Sequence, residues 1–371
     1  MKKVYINKTE CFSSIGFGKE HNWNAIQQQQ TGIKKIDEFG FISSFYGGQI
    51  SSEQLQEQTI TSEENSFTRF ERMLIVTLKP ILDQQTLSDK TALVISTTKG
   101  NIAALAEGNL AEADLNRSAK RIAAFFGFKN KPILVCNACV SGILALAVAK
   151  RLIQMQQCED AYVIAADELT PFVVSGFHSF QAMSDEPCKP FDVNRKGVNL
   201  GEAAAAAYLS TTCIEGQSFE ILGEASIADA NHISGPSRTG EGLFLSIQQA
   251  LKQANISADQ IDAICAHGTA TAYNDEMEAI AFDRLGLASK PIHSQKGYFG
   301  HTLGAAGLLE LVLLLQSMRH DELIVSKGFE QLGVSKEVNI TRQVEALPLH
   351  TALKTASGFG GSNTALIISK K

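Results

Sequence analysis

Cys139-Val140-Ser141-Gly142 runs into Ile143-Leu144-Ala145-Leu146, and Leu303-Gly304-Ala305-Ala306-Gly307 runs into Leu308-Leu309-Glu310-Leu311-Val312. Both stretches place small residues at the start of a helix and a greasy body behind them. Two related halves meeting at these helix N-termini would explain the echo, although apolar helices with small-residue starts are common. Outward from these two points, short apolar runs alternate with helical patterns. Residues 4–6, 92–96, 132–136, 161–165, 263–266 and 367–369 read as buried strands, and 203–209 does so more weakly. Residues 103–126, 141–155, 242–253, 275–285 and 305–318 carry helical patterns. Alternation of this kind predicts an α/β protein whose parallel sheets are covered by helices. A polar, glycine-containing stretch at 211–218 divides the chain into halves 1–212 and 213–371.

Composition excludes several classes. At 371 residues the chain is long enough for two domains or one duplicated unit with a substantial core. A net charge of −6 gives no support for nucleic-acid binding. The start carries Lys2 and Lys3 but no apolar stretch fit for a signal peptide. The greasiest run, 308–315, is interrupted by Glu310 and is too short to cross a bilayer. The expectation is a cytoplasmic protein without membrane contact. The seven cysteines fit it: their number is odd, and Cys11, Cys158, Cys188, Cys213 and Cys265 show no framework pattern.

Four segments carry the chemistry. In Cys136-Asn137-Ala138-Cys139-Val140-Ser141-Gly142 a strand ends at Cys136 and a helix begins near Cys139. A thiol at a helix start meets unpaired N–H groups and positive partial charge, which favour thiolate and could hold an oxyanion. Taken alone, the segment fits a buried structural cysteine equally well. The C-x-x-C spacing also admits a redox pair or half of a zinc site. No second C-x-x-C completes such a site, and Cys136 is expected to point into the sheet. Next, Ala266-His267-Gly268-Thr269-Ala270-Thr271 follows a strand directly, where an open sheet places its sites. By itself His267 could equally be satisfied by a loop carbonyl. In the stretch from Lys296-Gly297-Tyr298-Phe299-Gly300-His301 to Gly307, small residues allow close backbone approach and leave His301 at a helix start. Finally, Ser357-Gly358-Phe359-Gly360-Gly361-Ser362-Asn363 surrounds one aromatic with glycines, as a mobile gate or a simple turn would.

In this order, the four segments resemble the β-ketoacyl-acyl-carrier-protein synthases of the thiolase-like superfamily. Lys189-Pro190-Phe191-Asp192, Gly201-Glu202 and Asp229-Ala230-Asn231-His232 match too, so the resemblance runs from about Ser96 to the C-terminus. It implies an α/β, five-layered α/β/α/β/α fold made of two similar halves. It also implies decarboxylative Claisen condensation of a Cys-bound acyl group with malonyl-acyl carrier protein. Cys139 matches the nucleophile, and His267 and His301 match the histidine pair that assists decarboxylation and stabilises the enolate. Lys296 matches a lysine beside the pair, and Asp275 and Glu278 match acidic residues after the first histidine. Phe359 matches the gating aromatic, whose N–H joins that of Cys139 in the oxyanion hole. His232, Thr269 and Thr271 are expected to line the substrate site. No cofactor and no metal are implied.

Departures from the family narrow the expectation. The first strand is followed by Asn7-Lys8-Thr9-Glu10-Cys11-Phe12-Ser13-Ser14-Ile15-Gly16, where relatives carry a glycine-rich turn. The region between Thr97 and Cys139, which in relatives helps build the dimer interface and acyl-pocket floor, is short. This weighs toward specialised polyene or aryl polyene-type synthesis over housekeeping fatty-acid elongation. A thiolase would carry a second cysteine in the final turn, and synthases that start from coenzyme A carry a His/Asn pair; neither is present. A chain-length-factor subunit lacks the nucleophile, so the expected state is a homodimer, or a heterodimer in which this chain is the catalytic member. The acidic carrier-protein partner is expected at Arg117, Lys120, Arg121, Lys129 and Lys131, the densest basic run.

Overall fold

The computed structural model describes residues 2–82, 87–229 and 235–371. The chain is read most simply as one unit built twice. The first pass is β1 (Tyr5–Ser13), α1 (Arg69–Leu82), β2 (Thr91–Ser96), α2 (Leu115–Phe126), β3 (Ile133–Val135), α3 (Ser141–Gln154), β4 (Asp160–Asp167) and β5 (Ala203–Ser210). The second is β6 (Phe219–Ala228), α4 (Glu241–Ala254), β7 (Ala263–Cys265), α5 (Ala272–Arg284), β8 (Ile292–His293), α6 (Ala306–His320), β9 (Thr351–Gly358) and β10 (Ser362–Lys370).

The strands lie in the order β8-β7-β9-β10-β6-β1-β5-β4-β2-β3. Outward from the β1/β6 junction, each half has the same internal order: first, fifth, fourth, second, third. Pairing senses repeat as well. In each half the second strand runs parallel to the third and fourth, while the fifth runs antiparallel to the fourth and first. The expected two similar halves are thus present in the connectivity.

Helices α1 and α2 cover the outer face of the first half, and α4 and α5 that of the second. Between the halves lie α3 and α6, whose residues share one core with strands of both. This gives the five layers. Residues 306–318 of α6 are all buried, because sheet or helix meets it on every side. The echo seen in sequence is the contact itself. A Cβ on Gly142 would come within 2.8 Å of the Leu308 backbone N, and one on Gly307 within 2.7 Å of Ile143. The two middle helices cross where neither can carry a side chain.

One expectation changes. The 103–126 helix is two pieces, Ala103–Ala106 and α2. Gly108 at φ +73° turns the chain, and Asp114 restarts it by capping Asn116 N–H. The strand read more weakly at 203–209 is present as β5: Ala203–Ala207 would favour helix on propensity, yet they pair with β1 and β4 as its core. Their short side chains let α1 and α6 approach the strand's two faces. Strands β6, β8 and β9 and helix α1 were not anticipated at all. No helix is long and apolar enough to cross a membrane among the described residues.

Candidate active site

The turn after β3 carries Cys139. Asn137 N–H donates to Ser141 Oγ at 2.8 Å, and Ser141 O–H donates to the Ala138 carbonyl at 2.6 Å. This local knot holds Ala138 at φ +42°, a conformation costly for a residue with a side chain. The Cys139 thiol is buried. Burial pushes it up to about 11, while the Lys296 charge, the Phe359 N–H directed at the sulfur, and Lys99 pull it down. Against the thiolate expected at the helix start, loss of solvation outweighs the lowering contacts of Lys296, Phe359 and Lys99 in the free enzyme. Cys136, expected in the sheet, is exposed, its Sγ 3.5 Å from the Thr98 carbonyl. β3 is an edge strand that ends one residue earlier, at Val135.

His267 follows β7. Its N–H donates to Glu278 (2.8 Å), Gly268 N–H to the same carboxylate (2.6 Å), and Thr269 N–H to Asp275 (3.0 Å). Asp275 and Glu278, one turn apart on α5, thus clamp the loop backbone rather than the imidazoles. Gly268 permits the bend at φ +43°, where a Cβ would lie 2.5 Å from Ser294 Cβ. Asp275 also accepts Phe191 N–H at 2.7 Å, which is why the Lys189-Pro190-Phe191-Asp192 stretch comes to the site. Burial raises the Asp275 carboxyl to about 7.

His301 is fixed by its backbone: its N–H donates to the Asn199 carbonyl at 2.7 Å, and Gly201 N–H donates to its carbonyl at 3.0 Å. A Cβ at Gly201 would stand 2.0 Å from the Phe299 carbonyl, so only glycine fits beside this loop. The rings of His267 and His301 lie 5.1 Å apart at 83°. The Cys139 sulfur and one nitrogen of each ring lie within 4.8 Å of one another. Burial first, then the nearby lysines, hold both imidazoles well below their usual range, hence neutral near pH 7.

Lys296 donates to the His267 carbonyl at 2.9 Å and lies 3.5 Å from its Nδ1, beside the pair as expected. The sequence reading missed its partner Glu310, treated there only as a break in a greasy run. A lone carboxylate in an all-buried helix signals a buried ion pair. Glu310 binds both Lys296 and Lys354. Two cations beneath the ring pair oppose a metal ion there. Asp167 was also missed. It accepts the Thr97 O–H (2.8 Å) and the N–H groups of Thr98 (2.9 Å) and Gly304 (2.7 Å), tying the first half to the start of α6.

Cys139, His267 and His301 open onto a cavity of about 500 Å³ whose walls include Thr269, Thr271, Phe177, Phe180 and Phe359. Phe359 stacks on Phe177 and meets Phe180 edge-on, with centroids 5.7 and 5.6 Å away. His232 lies outside the described residues. The basic run is partly neutralised: Arg117 and Arg121 pair with Glu112, and Arg121 also with Glu71. Lys120, Lys129 and Lys131 remain exposed.

Against known families, residues 1–212 match the β-ketoacyl synthase N-terminal domain and residues 218–330 its C-terminal domain. The chain belongs to the β-ketoacyl synthase family. It is an acyltransferase of the condensing class, performing the decarboxylative Claisen condensation of fatty-acid or polyketide synthesis. The synthase is 27% identical to a putative mitochondrial 3-oxoacyl-[acyl-carrier-protein] synthase of Schizosaccharomyces pombe, over 100% of this chain and 99% of that one. It is 25% identical to 3-oxoacyl-[acyl-carrier-protein] synthase 2 of Vibrio cholerae, with the same coverage. Its fold is similar to a Xenorhabdus doucetiae ketosynthase solved with its chain length factor (TM-score 0.89, 24% identity, 100% and 98% coverage). A Burkholderia phymatum β-ketoacyl synthase is equally similar (TM-score 0.89, 22% identity, 100% of both chains).

Proposed function

We propose that Cys139 carries the acyl group, that His267 and His301 stabilise the malonyl-derived enolate, and that acyl and malonyl carrier proteins are the substrates. The Cys139 sulfur attacks the acyl thioester and releases the carrier thiol. The N–H groups of Cys139 and Phe359 hold the oxyanion of that step. Malonyl thioester then loses carbon dioxide, and the enolate oxygen accepts the two Nε2–H bonds. The enolate carbon attacks the Cys139 thioester, forming the new carbon–carbon bond and expelling the thiolate. The observation that carries this reading is His301 Nε2, which is buried and has no partner among the described residues, and which carries the proton because Nδ1 accepts Leu303 N–H. Such a donor waits for an acceptor that only the substrate brings.

Phe359, wedged against Phe177 and Phe180, gates the cavity, and Thr269 and Thr271 line the path of the substrate. The edge strand β3 leaves the sheet open at one end, and a second thiolase-like chain docks there, either a copy of this one or a chain-length-factor subunit. Likeness to a ketosynthase solved with its chain length factor supports the second. The test is mass spectrometry of products from acyl and malonyl carrier proteins. Wild type yields the 3-oxoacyl product. Cys139→Ala yields none yet still releases carbon dioxide. An acyl-enzyme on Cys139→Ala would remove the nucleophile assignment.

A further inference from the structure

One lysine beside His267 is enough to bond its ring, and the structure holds two. Lys354 lies on β9 opposite Cys265 of β7 and is fully buried. Its Nζ is 2.7 Å from Glu310 Oε2 and donates to the Thr355 carbonyl at 2.6 Å. Lys296 holds the other oxygen, Oε1. One carboxylate thus lies between two ammonium groups. A buried Lys–Glu pair needs no second cation for its own satisfaction, and an apolar residue at position 354 would avoid the desolvation of a charge. Lys354 nevertheless stays protonated, its affinity for the proton raised by Cys265 and Glu310 against the effect of burial.

The groups around His267 can be counted. Lys296, His301 and Cys139 face the ring; Glu310 joins Lys296 to Lys354, and Cys265 lies in register with Lys354 on one side and His293 on the other. Glu278 and Asp275 are engaged by the loop N–H groups. Glu278 also interacts with Lys354 through its charge, so Glu310 and Glu278 together answer the two cations, with Glu310 the one in direct contact with both.

We propose that Lys354 is a positioning residue for decarboxylation: by taking Oε2 of Glu310 it keeps Lys296 on Oε1 with an N–H turned to His267 Nδ1, and so holds the ring as the neutral Nε2–H donor. The inference rests on the role proposed above for His267. Lys354 and Lys296 both lower the proton affinity of His267 and of His301, so the same arrangement works against protonation of either ring.

The test is ¹⁵N NMR of histidine-labelled enzyme, with His267 assigned by difference against His267→Gln, run beside carbon dioxide release from malonyl carrier protein. Wild type shows His267 with Nδ1 unprotonated and Nε2 protonated down to about pH 5. In Lys354→Met, His267 titrates at least about one pH unit higher. Carbon dioxide release then falls about twofold at the pH where the variant's His267 is half protonated and stays near wild type about two pH units higher, with KM unchanged and acylation of Cys139 intact. A Lys354→Met spectrum and pH profile matching wild type overturn the proposal. Should that variant not fold, wild type alone still decides. A protonated Nδ1 at His267, or an imidazole titration between about pH 5.5 and 7, overturns it, and their absence supports it. The NMR readout holds even if the enzyme releases no carbon dioxide, an outcome that would unseat the proposed reaction and not this one.

Discussion

His301 Nδ1 accepts the backbone N–H of Leu303, 3.2 Å away and two residues further along the same loop. The contact is possible because Leu303 takes φ +53°, folding the chain back over the ring. It decides the tautomer: Nδ1 is the acceptor, so the proton is on Nε2, which is buried without a partner among the described residues. Lys296 imposes the same form on His267 from the other side. Two N–H donors on nearly perpendicular rings thus converge beside the Cys139 sulfur.

Loss of one of these donors separates the half-reactions. His301→Ala is expected to lower carbon dioxide release from malonyl carrier protein by roughly a hundredfold to a thousandfold, the usual cost of about 3–4 kcal/mol for one oxyanion donor. The variant should still gain the acyl mass on Cys139, read by intact-protein mass spectrometry. Decarboxylation at the wild-type rate would end the donor role of His301.

Because burial pushes the Cys139 thiol up to about 11, thiolate is scarce in the resting enzyme. Alkylation of Cys139 by iodoacetamide should climb about tenfold per pH unit from about pH 7 to 9 without a plateau. Acylated enzyme should be protected. A plateau near pH 7 in peptide-mapped labelling of Cys139 would mean that the thiol is ionised after all.

Gly201→Ala should disable the site without touching a reacting group. Its Cβ would lie 2.0 Å from the Phe299 carbonyl, so the loop carrying His301 must move. Forced overpacking of this kind costs about 1–3 kcal/mol. Thermal unfolding should report that loss, together with a fall in condensation larger than the loss of folded protein. Wild-type activity in Gly201→Ala would show that the loop has slack.

Glu168 follows Asp167 at the end of β4, buried with Oε1 unpartnered. Burial, and then the neighbouring Glu202 charge, raise its carboxyl from 4.5 to about 8. The folded value lies above the unfolded one. The group's contribution is therefore fully present below about pH 4.5 and is lost as pH rises through about 8. Glu168→Gln cannot ionise, so its melting temperature should exceed that of wild type above about pH 8 and match it near pH 5. Equal differences at both pH values would rule out this ionisation as the cause.

Cys139, His267, His301 and the 357–363 turn were legible in the sequence because each depends on local backbone. A strand–turn–helix, or a loop that must pass close to its neighbours, leaves small residues at fixed spacing. The duplication showed itself for the same reason, since Gly142 and Gly307 are where the middle helices meet. Tertiary structure alone decided the rest. Residues 203–209 read only weakly as a strand, and pairing with β1 and β4 is what held Ala203–Ala207 there against the propensity of alanine. Burial pushes the Cys139 thiol up, and part of that burial comes from second-half residues far away in the chain, such as Gly358 and Phe359. Lys354, 44 residues from Glu310 in the chain and without a motif of its own, reached the site through its register on β9. Spacing along a chain sets which turns can form. Charge, burial and partner choice depend on what the fold brings within a few ångströms, from the opposite half at Cys139 and from a distant strand of the same half at Lys354 and Glu310.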